Sequence, residues 1–222
     1  MKTELRVQLG DKLFGIERPW GALPSTPGRI TDLAVDRDGL IHVLLRRDSA
    51  VDPAGPCVVT LSADGAFVRS WGETLCLDAH KIATGPDGVI AIVDRDAHRV
   101  LFCDAQGQMR QQVGESHRPG HPFNHPSDIA FAPDGGFYVA DGYGHGRIHR
   151  FDRSGSLIAS WGSVGTAPGA FLTPHGICVL SDGARHRRRP REQPRPELHR
   201  RWPVAGGLGR FPAPPGRRRR CG

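Results

Sequence analysis

Four Asp-Gly pairs recur at a nearly constant interval along the chain, beginning at Asp38, Asp87, Asp134 and Asp182, with steps of 49, 47 and 48 residues. Each pair follows a short apolar run, and the first three are followed by another, as in AVDRDGLIHV. A strand, a tight Asp-Gly turn and a second strand are typical of a β-hairpin. A hairpin repeated at a period just under 50 residues indicates the blades of a β-propeller.

The rest of each repeat predicts two further strands. A third strand leads into a second polar turn (SADGAF, DAQGQM, DRSGSL), and a fourth strand ends in SWGE, QVGE or SWGS. We therefore expect an all-β fold with three full four-stranded blades at about residues 25–73, 74–122 and 123–168, and the opening strands of a fourth at 169–183. One blade cannot bury both faces of its sheet, so neighbouring blades must stack.

The charge divides the chain into a body and a basic tail. Residues 184–222 hold 13 Arg and only two acids, which gives a net charge of +11, while the whole chain is +7. Residues 1–183 therefore sum to −4. We predict that residues 1–24 lead into the propeller, that residues 25–183 form the blades, and that 184–222 form a disordered tail.

Two interpretations of the tail stay open. An Arg-rich arm would bind nucleic acid through its phosphates. Alternatively, the chain runs out of frame from about Gly183, because back-translation of the tail and a shift of one base can complete the fourth blade. We favour the frame change, so we expect a truncated copy of a longer propeller and nucleic-acid binding only if the tail is genuine.

The remaining bulk features point to an ordinary intracellular chain. The start, MKTELRVQLGDKLFG, lacks the apolar core of a signal peptide, and no run of about 18 apolar residues follows. The five Cys residues form no Cys-x-x-Cys pair. We therefore predict a cytoplasmic protein with free thiols that does not span a membrane.

Two segments resemble a known family. ADGYGHGRIHRFD at 140–152 and SWGSVGTAPGAFLTPHGI at 160–177 are similar to NHL-repeat six-bladed propellers of the peptidyl-α-hydroxyglycine α-amidating lyase type. The resemblance covers about residues 28–183. It implies that the chain is about 3.5 blades of a six-bladed parent, with a zinc ion on the propeller axis held by three His residues from different blades.

The resemblance also implies the site residues. His175 in TPHGI and His80 in DAHKI match two zinc ligands, and the third His lies beyond the frame break, so it is absent here. Tyr143 matches the active-site Tyr, and Arg46 matches the family Arg, with Arg47 as the alternative register. A structural calcium ion is also implied, with the backbone carbonyl of Ile82 at one ligand position.

The implied chemistry is the cleavage of a C–N bond in a peptide that ends in α-hydroxyglycine, which releases glyoxylate and an amide. Neutral imidazoles bind zinc, Arg stabilises negative charge, and a Tyr phenolate is a suitable base. Because only two of the three His residues are present, we predict an impaired or inactive enzyme.

Two other functions stay open at this point. An NHL-repeat propeller without metal would be a protein- or RNA-binding module. A propeller hydrolase of the lactonase kind would need carboxylate ligands on the axis, where this chain has His.

Overall fold

A computed structural model of the protein describes residues 5–16, 19–23, 28–47 and 55–179, and the main chain of 198–200. The chain starts with a separate hairpin of two exposed strands, β1 (Leu5–Leu9) and β2 (Lys12–Ile16). Sixteen strands are present in the described residues, together with one 3-10 turn at Pro86–Gly88. No helix in this part of the chain is long and apolar enough to cross a bilayer.

Three four-stranded antiparallel sheets follow, and each uses its strands in chain order. The first blade contains β3 (Arg29–Val35), β4 (Ile41–Arg46), β5 (Val58–Leu61) and β6 (Phe67–Trp71). The second contains β7 (Ala79–Thr84), β8 (Ile90–Asp94), β9 (Arg99–Cys103) and β10 (Met109–Val113). The third contains β11 (Asp128–Phe131), β12 (Phe137–Asp141), β13 (Arg147–Phe151) and β14 (Leu157–Trp161). The predicted partial propeller is confirmed.

A fourth sheet begins with β15 (Ile177–Val179), which pairs antiparallel with β16 (Leu198–Arg200). The main chain of residues 198–200, within the predicted tail, pairs with the open edge of β15. The rest of the predicted tail, and the question of its reading frame, lie outside the described residues.

The Asp-Gly turns are stabilised by a carboxylate that accepts backbone N–H groups and by a glycine that adopts a left-handed conformation. In the first blade, Asp36 Oδ1 accepts the backbone N–H groups of Asp38 and Leu40, each at 2.9 Å. Gly39 then adopts a φ of +81°, which a side chain would disfavour. The same left-handed φ, +84°, occurs at Gly135 in the third blade.

The core lies between neighbouring blades. In β8, Ile90 and Ile92 pack toward the first blade, whereas Ala91 and Val93 pack toward the third. Successive residues of a strand point to opposite faces, so an uninterrupted apolar run here supplies two interfaces. This stacking fixes where each inner strand lies and thereby brings the ends of several blades together.

Candidate functional site

The four residues that the resemblance implied as zinc ligands and catalytic groups lie together. Tyr143 is central: its hydroxyl is 2.6 Å from His175 Nε2 and 3.3 Å from His80 Nε2. The Nη2 atom of Arg46 is 2.5 Å from the other ring nitrogen of His80, Nδ1. These residues come from four different repeats, so the blade stacking assembles the site.

The three rings of this cluster contact one another edge to face. Each pair of centroids among His80, Tyr143 and His175 is 5.4 Å apart, with interplanar angles of 73–84°. His80 is buried, while Tyr143 is 45% exposed and His175 is also exposed. The cluster is therefore open to solvent on the side of Tyr143, which leaves room for a substrate.

The turn that carries Tyr143 requires the glycine before it. A Cβ atom on Gly142 would overlap the carbonyl oxygen of Pro174 and come within 2.8 Å of Ser127 Oγ. The Asp of the same Asp-Gly-Tyr motif, Asp141, is completely buried and accepts the N–H of Asn124 at 2.9 Å. This close approach holds the tyrosine beside the segment that leads to His175.

A carboxylate behind the cluster holds two guanidinium groups. Asp78, which is 6% exposed, pairs with Arg46 (Oδ1–Nε 2.5 Å) and with Arg95 (Oδ2–Nε 2.8 Å). The Cζ atom of Arg95 lies 5.3 Å from the ring centroid of Tyr143, within the range of a cation–π contact. The sequence analysis did not identify Asp78 or Arg95 as residues of the site. Arg95 follows Arg46 by 49 residues, one repeat step, and that spacing was the available signal.

Hydroxyl groups in the two other blades anchor the His-bearing segments, and they were also missed. Thr31 Oγ1 donates to the carbonyl of Ala79 at 3.1 Å, directly before His80. Ser127 Oγ donates to the carbonyl of Pro174 at 2.6 Å, directly before His175. Each histidine is therefore positioned by a hydroxyl from the preceding blade.

Burial and nearby positive charges favour the neutral form of both imidazoles. Burial, followed by the positive charges of Arg46 and Arg95, lowers the pKa of His80 to about 4. Burial and then Lys81 and Arg95 also lower the pKa of His175. Burial raises the pKa of Asp78, although its two Arg partners oppose that shift. A neutral imidazole is the form that binds a metal ion.

The two imidazole nitrogens are of the type that zinc prefers, but the described residues bring too few such ligands together. The two Nε2 atoms converge on one hydroxyl, and imidazole nitrogen is a preferred zinc ligand. Within the described residues, no three His, Cys, Asp or Glu side chains form a group that could hold a metal ion. Arg46 donates to His80 Nδ1, which leaves the ring proton on Nε2. Zinc binding at Nε2 therefore requires Arg46 to release Nδ1.

The other predicted residues lie elsewhere. Ile82 is buried in β7, where it pairs with Ile92 and its N–H donates to Asp32 Oδ2 at 3.1 Å. Its carbonyl as a calcium ligand stays a prediction. Arg47, the alternative to Arg46, lines a separate cleft beside Cys57. The structure thus places Arg46, and not Arg47, at the histidine cluster.

Comparison with protein families and curated proteins agrees with the resemblance. The family model described as the NHL repeat matches residues 123–151. Peptidyl-glycine alpha-amidating monooxygenase B of Xenopus laevis is 32% identical over 124 residues, which is 52% of this chain and 14% of that protein. A probable peptidyl-alpha-hydroxyglycine alpha-amidating lyase of Caenorhabditis elegans is 26% identical over 177 residues, 70% of this chain and 51% of that protein. The matched region is thus about half of the Caenorhabditis protein.

Other similar proteins are not named as amidating enzymes. NHL repeat-containing protein 3 of Mus musculus is 26% identical over 194 residues, 79% of this chain and 54% of that protein. Among solved structures, virginiamycin B lyase from Staphylococcus aureus superposes with a TM-score of 0.52 at 18% identity, over 78% of this chain and 51% of that one. At this identity the similarity concerns the fold.

Proposed function

We propose that this chain, an NHL-repeat propeller that resembles the peptidyl-α-hydroxyglycine α-amidating lyases, carries a lyase-type site built from His80, His175, Tyr143 and Arg46. The observation that carries the proposal is the convergence of two imidazole Nε2 atoms on the hydroxyl of Tyr143, at 2.6 and 3.3 Å. The relatives that are named as amidating enzymes support the lyase-like family on which the proposal is based.

His80 and His175 are the residues that would hold zinc. A bound zinc ion supplies Lewis acidity, which polarises oxygen atoms of the substrate and favours loss of a hydroxyl proton. Both imidazoles are held neutral by burial and by nearby cations, which is the state that ligation needs. Because the described residues bring together two such ligands and no third, we expect zinc to bind weakly and turnover to be low.

The amidating relatives suggest the substrate class, and the groups around Tyr143 suit it. The guanidinium groups of Arg46 and Arg95 provide positive charge for the carboxylate of a C-terminal α-hydroxyglycine. As a phenolate, the Tyr143 oxygen would take the proton of the α-hydroxyl group as the carbonyl of glyoxylate forms. The C–N bond breaks, its electron pair stays on nitrogen, and a proton returned to that nitrogen completes the amide.

The test combines zinc binding with glyoxylate release from an N-acyl-α-hydroxyglycine. We expect the purified chain to bind zinc, and His175→Asn to lose that binding. Tyr143→Phe keeps the ring but removes the hydroxyl, so it should retain zinc while glyoxylate release falls by roughly 100-fold or more. Zinc binding that survives both His80→Asn and His175→Asn would contradict the metal assignment. Glyoxylate release unchanged in Tyr143→Phe would contradict the role of the tyrosine.

A further inference from the structure

Two thiols face each other away from the histidine cluster. The Sγ atoms of Cys57 and Cys76 are 3.5 Å apart, and neither forms a disulfide. Cys57 precedes β5 in the first blade, while Cys76 lies in the segment that joins the first blade to the second. Their 19-residue separation does not follow the repeat, so the contact depends on the way this connection folds back onto the blade.

The connecting segment lies tightly against Cys57. A Cβ atom on Gly72 would be 2.7 Å from Cys57 Sγ, and Gly72 itself has a φ of +83°. Thr74 also adopts a left-handed φ, +60°, which is rare for a β-branched residue. The segment is therefore held in a conformation that keeps the two sulfur atoms in contact.

A cleft of about 260 Å³ reaches both thiols. Its lining includes Cys57, Cys76, Thr74 and two cations, Arg47 and Arg99. Cys57 is 4% exposed, whereas Cys76 is partly exposed, so a reagent in the cleft meets Cys76 more readily. Arg99 pairs with the buried Asp94 at 2.9 Å, but among the described residues the cleft lining itself contains two guanidinium groups and no carboxylate, which favours a reagent with negative charge.

We propose that Cys57 and Cys76 are a reversible dithiol–disulfide site, oxidised by exchange with a small anionic disulfide that enters this cleft. The Cys76 thiolate attacks one sulfur of the reagent, so a mixed disulfide forms and one thiolate leaves. The Cys57 thiolate then attacks Cys76 Sγ, forming the intramolecular bond and releasing the second thiolate. The two protein protons end on the two released thiols, and the reagent is reduced as the protein is oxidised.

The bond would connect the first blade to the segment that presents Asp78 and His80. Cys76 is two residues before Asp78, whose N–H donates to Asp94 Oδ1 at 2.7 Å. A disulfide that closes a loop of this length restricts the unfolded chain. We therefore expect oxidation to raise the thermal midpoint by roughly 5–10 °C.

The environment predicts slow exchange that speeds up with pH. The hydrogen bond to Cys57, followed by burial, raises the pKa of the Cys76 thiol well above its usual range. Burial raises the pKa of Cys103 to about 12, so this nearby thiol competes poorly. Since the thiolate is the attacking species, the rate should increase between pH 7 and pH 9.

The experiment uses the full folded chain and three disulfides of similar size: anionic dithiodiglycolate, neutral bis(2-hydroxyethyl) disulfide and cationic cystamine. After oxidation at pH 8.5, tryptic peptides 48–69 and 70–81, which contain Cys57 and Cys76, should be joined. Each rate is divided by that of the urea-unfolded chain, which removes differences in intrinsic reactivity. We expect the normalised rate to be highest for the anionic reagent.

Matched variants identify the partners. Cys103→Ser should still form the 48–69 to 70–81 link, and Cys57→Ser should stop at the mixed disulfide on Cys76. The site assignment is overturned if both thiols stay reduced in the folded wild-type chain after 24 h, if Cys103 in peptide 100–110 is the partner instead, or if the wild type stops at a mixed disulfide. A normalised preference for cystamine would overturn the anionic choice. None of these measurements depends on zinc or on lyase activity.

Discussion

Asp128 provides a pH-dependent test of the packing between the third and fourth blades. It is the first residue of β11, and its Oδ2 accepts the N–H of Ile177 at 2.7 Å while its Oδ1 accepts that of Ile129 at 2.9 Å. Burial raises the pKa of Asp128 to about 6, although these hydrogen bonds and Lys81 oppose the shift. The carboxyl is therefore easier to ionise in the unfolded chain than in the folded one.

The sign and size of the effect follow from this difference. Below the unfolded value of 3.8 the group is protonated in both states, and above about 6 it is ionised in both, with the folded state bearing the burial penalty. Stability thus falls as the pH rises through this window. A difference of about two pKa units corresponds to about 3 kcal/mol in total, of which about 2 kcal/mol is lost between pH 4 and pH 7.

Urea unfolding followed by tryptophan fluorescence, with wild type and Asp128→Asn compared at pH 4, 5, 6 and 7, measures this directly. The difference between the unfolding free energies of the wild type and Asp128→Asn should decrease by about 2 kcal/mol from pH 4 to pH 7. The neighbouring Ser127→Ala variant loses an uncharged hydrogen bond, so its difference from wild type should not depend on pH. A constant difference for Asp128→Asn would refute a partly buried, weakly acidic carboxyl at this position.

Three further predictions concern the site and the core. Arg46→Met frees Nδ1 of His80 to carry the ring proton and removes a nearby cation. Zinc affinity measured by calorimetry should therefore rise by about tenfold, while glyoxylate release should fall, and an unchanged affinity would contradict the contact between Arg46 and His80. Asp78→Asn removes a carboxylate whose pKa is raised by burial despite its two Arg partners, so the free energy of unfolding at pH 7 should fall by less than about 1 kcal/mol, and a loss above about 3 kcal/mol in urea titration would contradict this balance. Phe137→Ala removes a ring that lies 2% exposed and should cost roughly 3–5 kcal/mol, which a change below 1 kcal/mol would contradict.

The repeat period was enough to predict the blades because it reports directly on strand pairing. Each Asp-Gly pair marks the turn of a hairpin, and the three observed hairpins place Ile41, Ile90 and Phe137 at the same register position, directly after the turn. Interfaces between blades then follow from the apolar runs that flank each turn. The arrangement of the sheets was therefore accessible from the sequence.

The partners of the site residues were harder to predict, because they depend on distances between repeats. The Asp78 bridge to Arg46 and Arg95 joins two blades, and no local pattern marks Asp78 as an ion-pair partner. The contact between Cys57 and Cys76 depends on how one connecting segment turns. The sequence predicted free thiols and no pairing, since spacing alone does not bring these two sulfur atoms together.

The inner strands show why the histidines occur in alternate blades. Equivalent positions of the four successive blades hold Thr31, His80, Ser127 and His175. Hydroxyl and imidazole side chains therefore alternate from blade to blade. Each hydroxyl donates to the carbonyl that precedes the next imidazole.

The next residue along each inner strand also alternates in its role between blades. Asp32 accepts the N–H of Ile82 in the second blade at 3.1 Å, and Asp128 accepts that of Ile177 in the fourth at 2.7 Å. In the second blade the equivalent residue is Lys81, which pairs with Asp32 at 3.3 Å. The repeating unit of the site is therefore a pair of blades: one anchors the backbone through a hydroxyl and a carboxylate, and the next presents the histidine. A change of Thr31 or Ser127 should consequently affect the histidine one blade away more than its own blade.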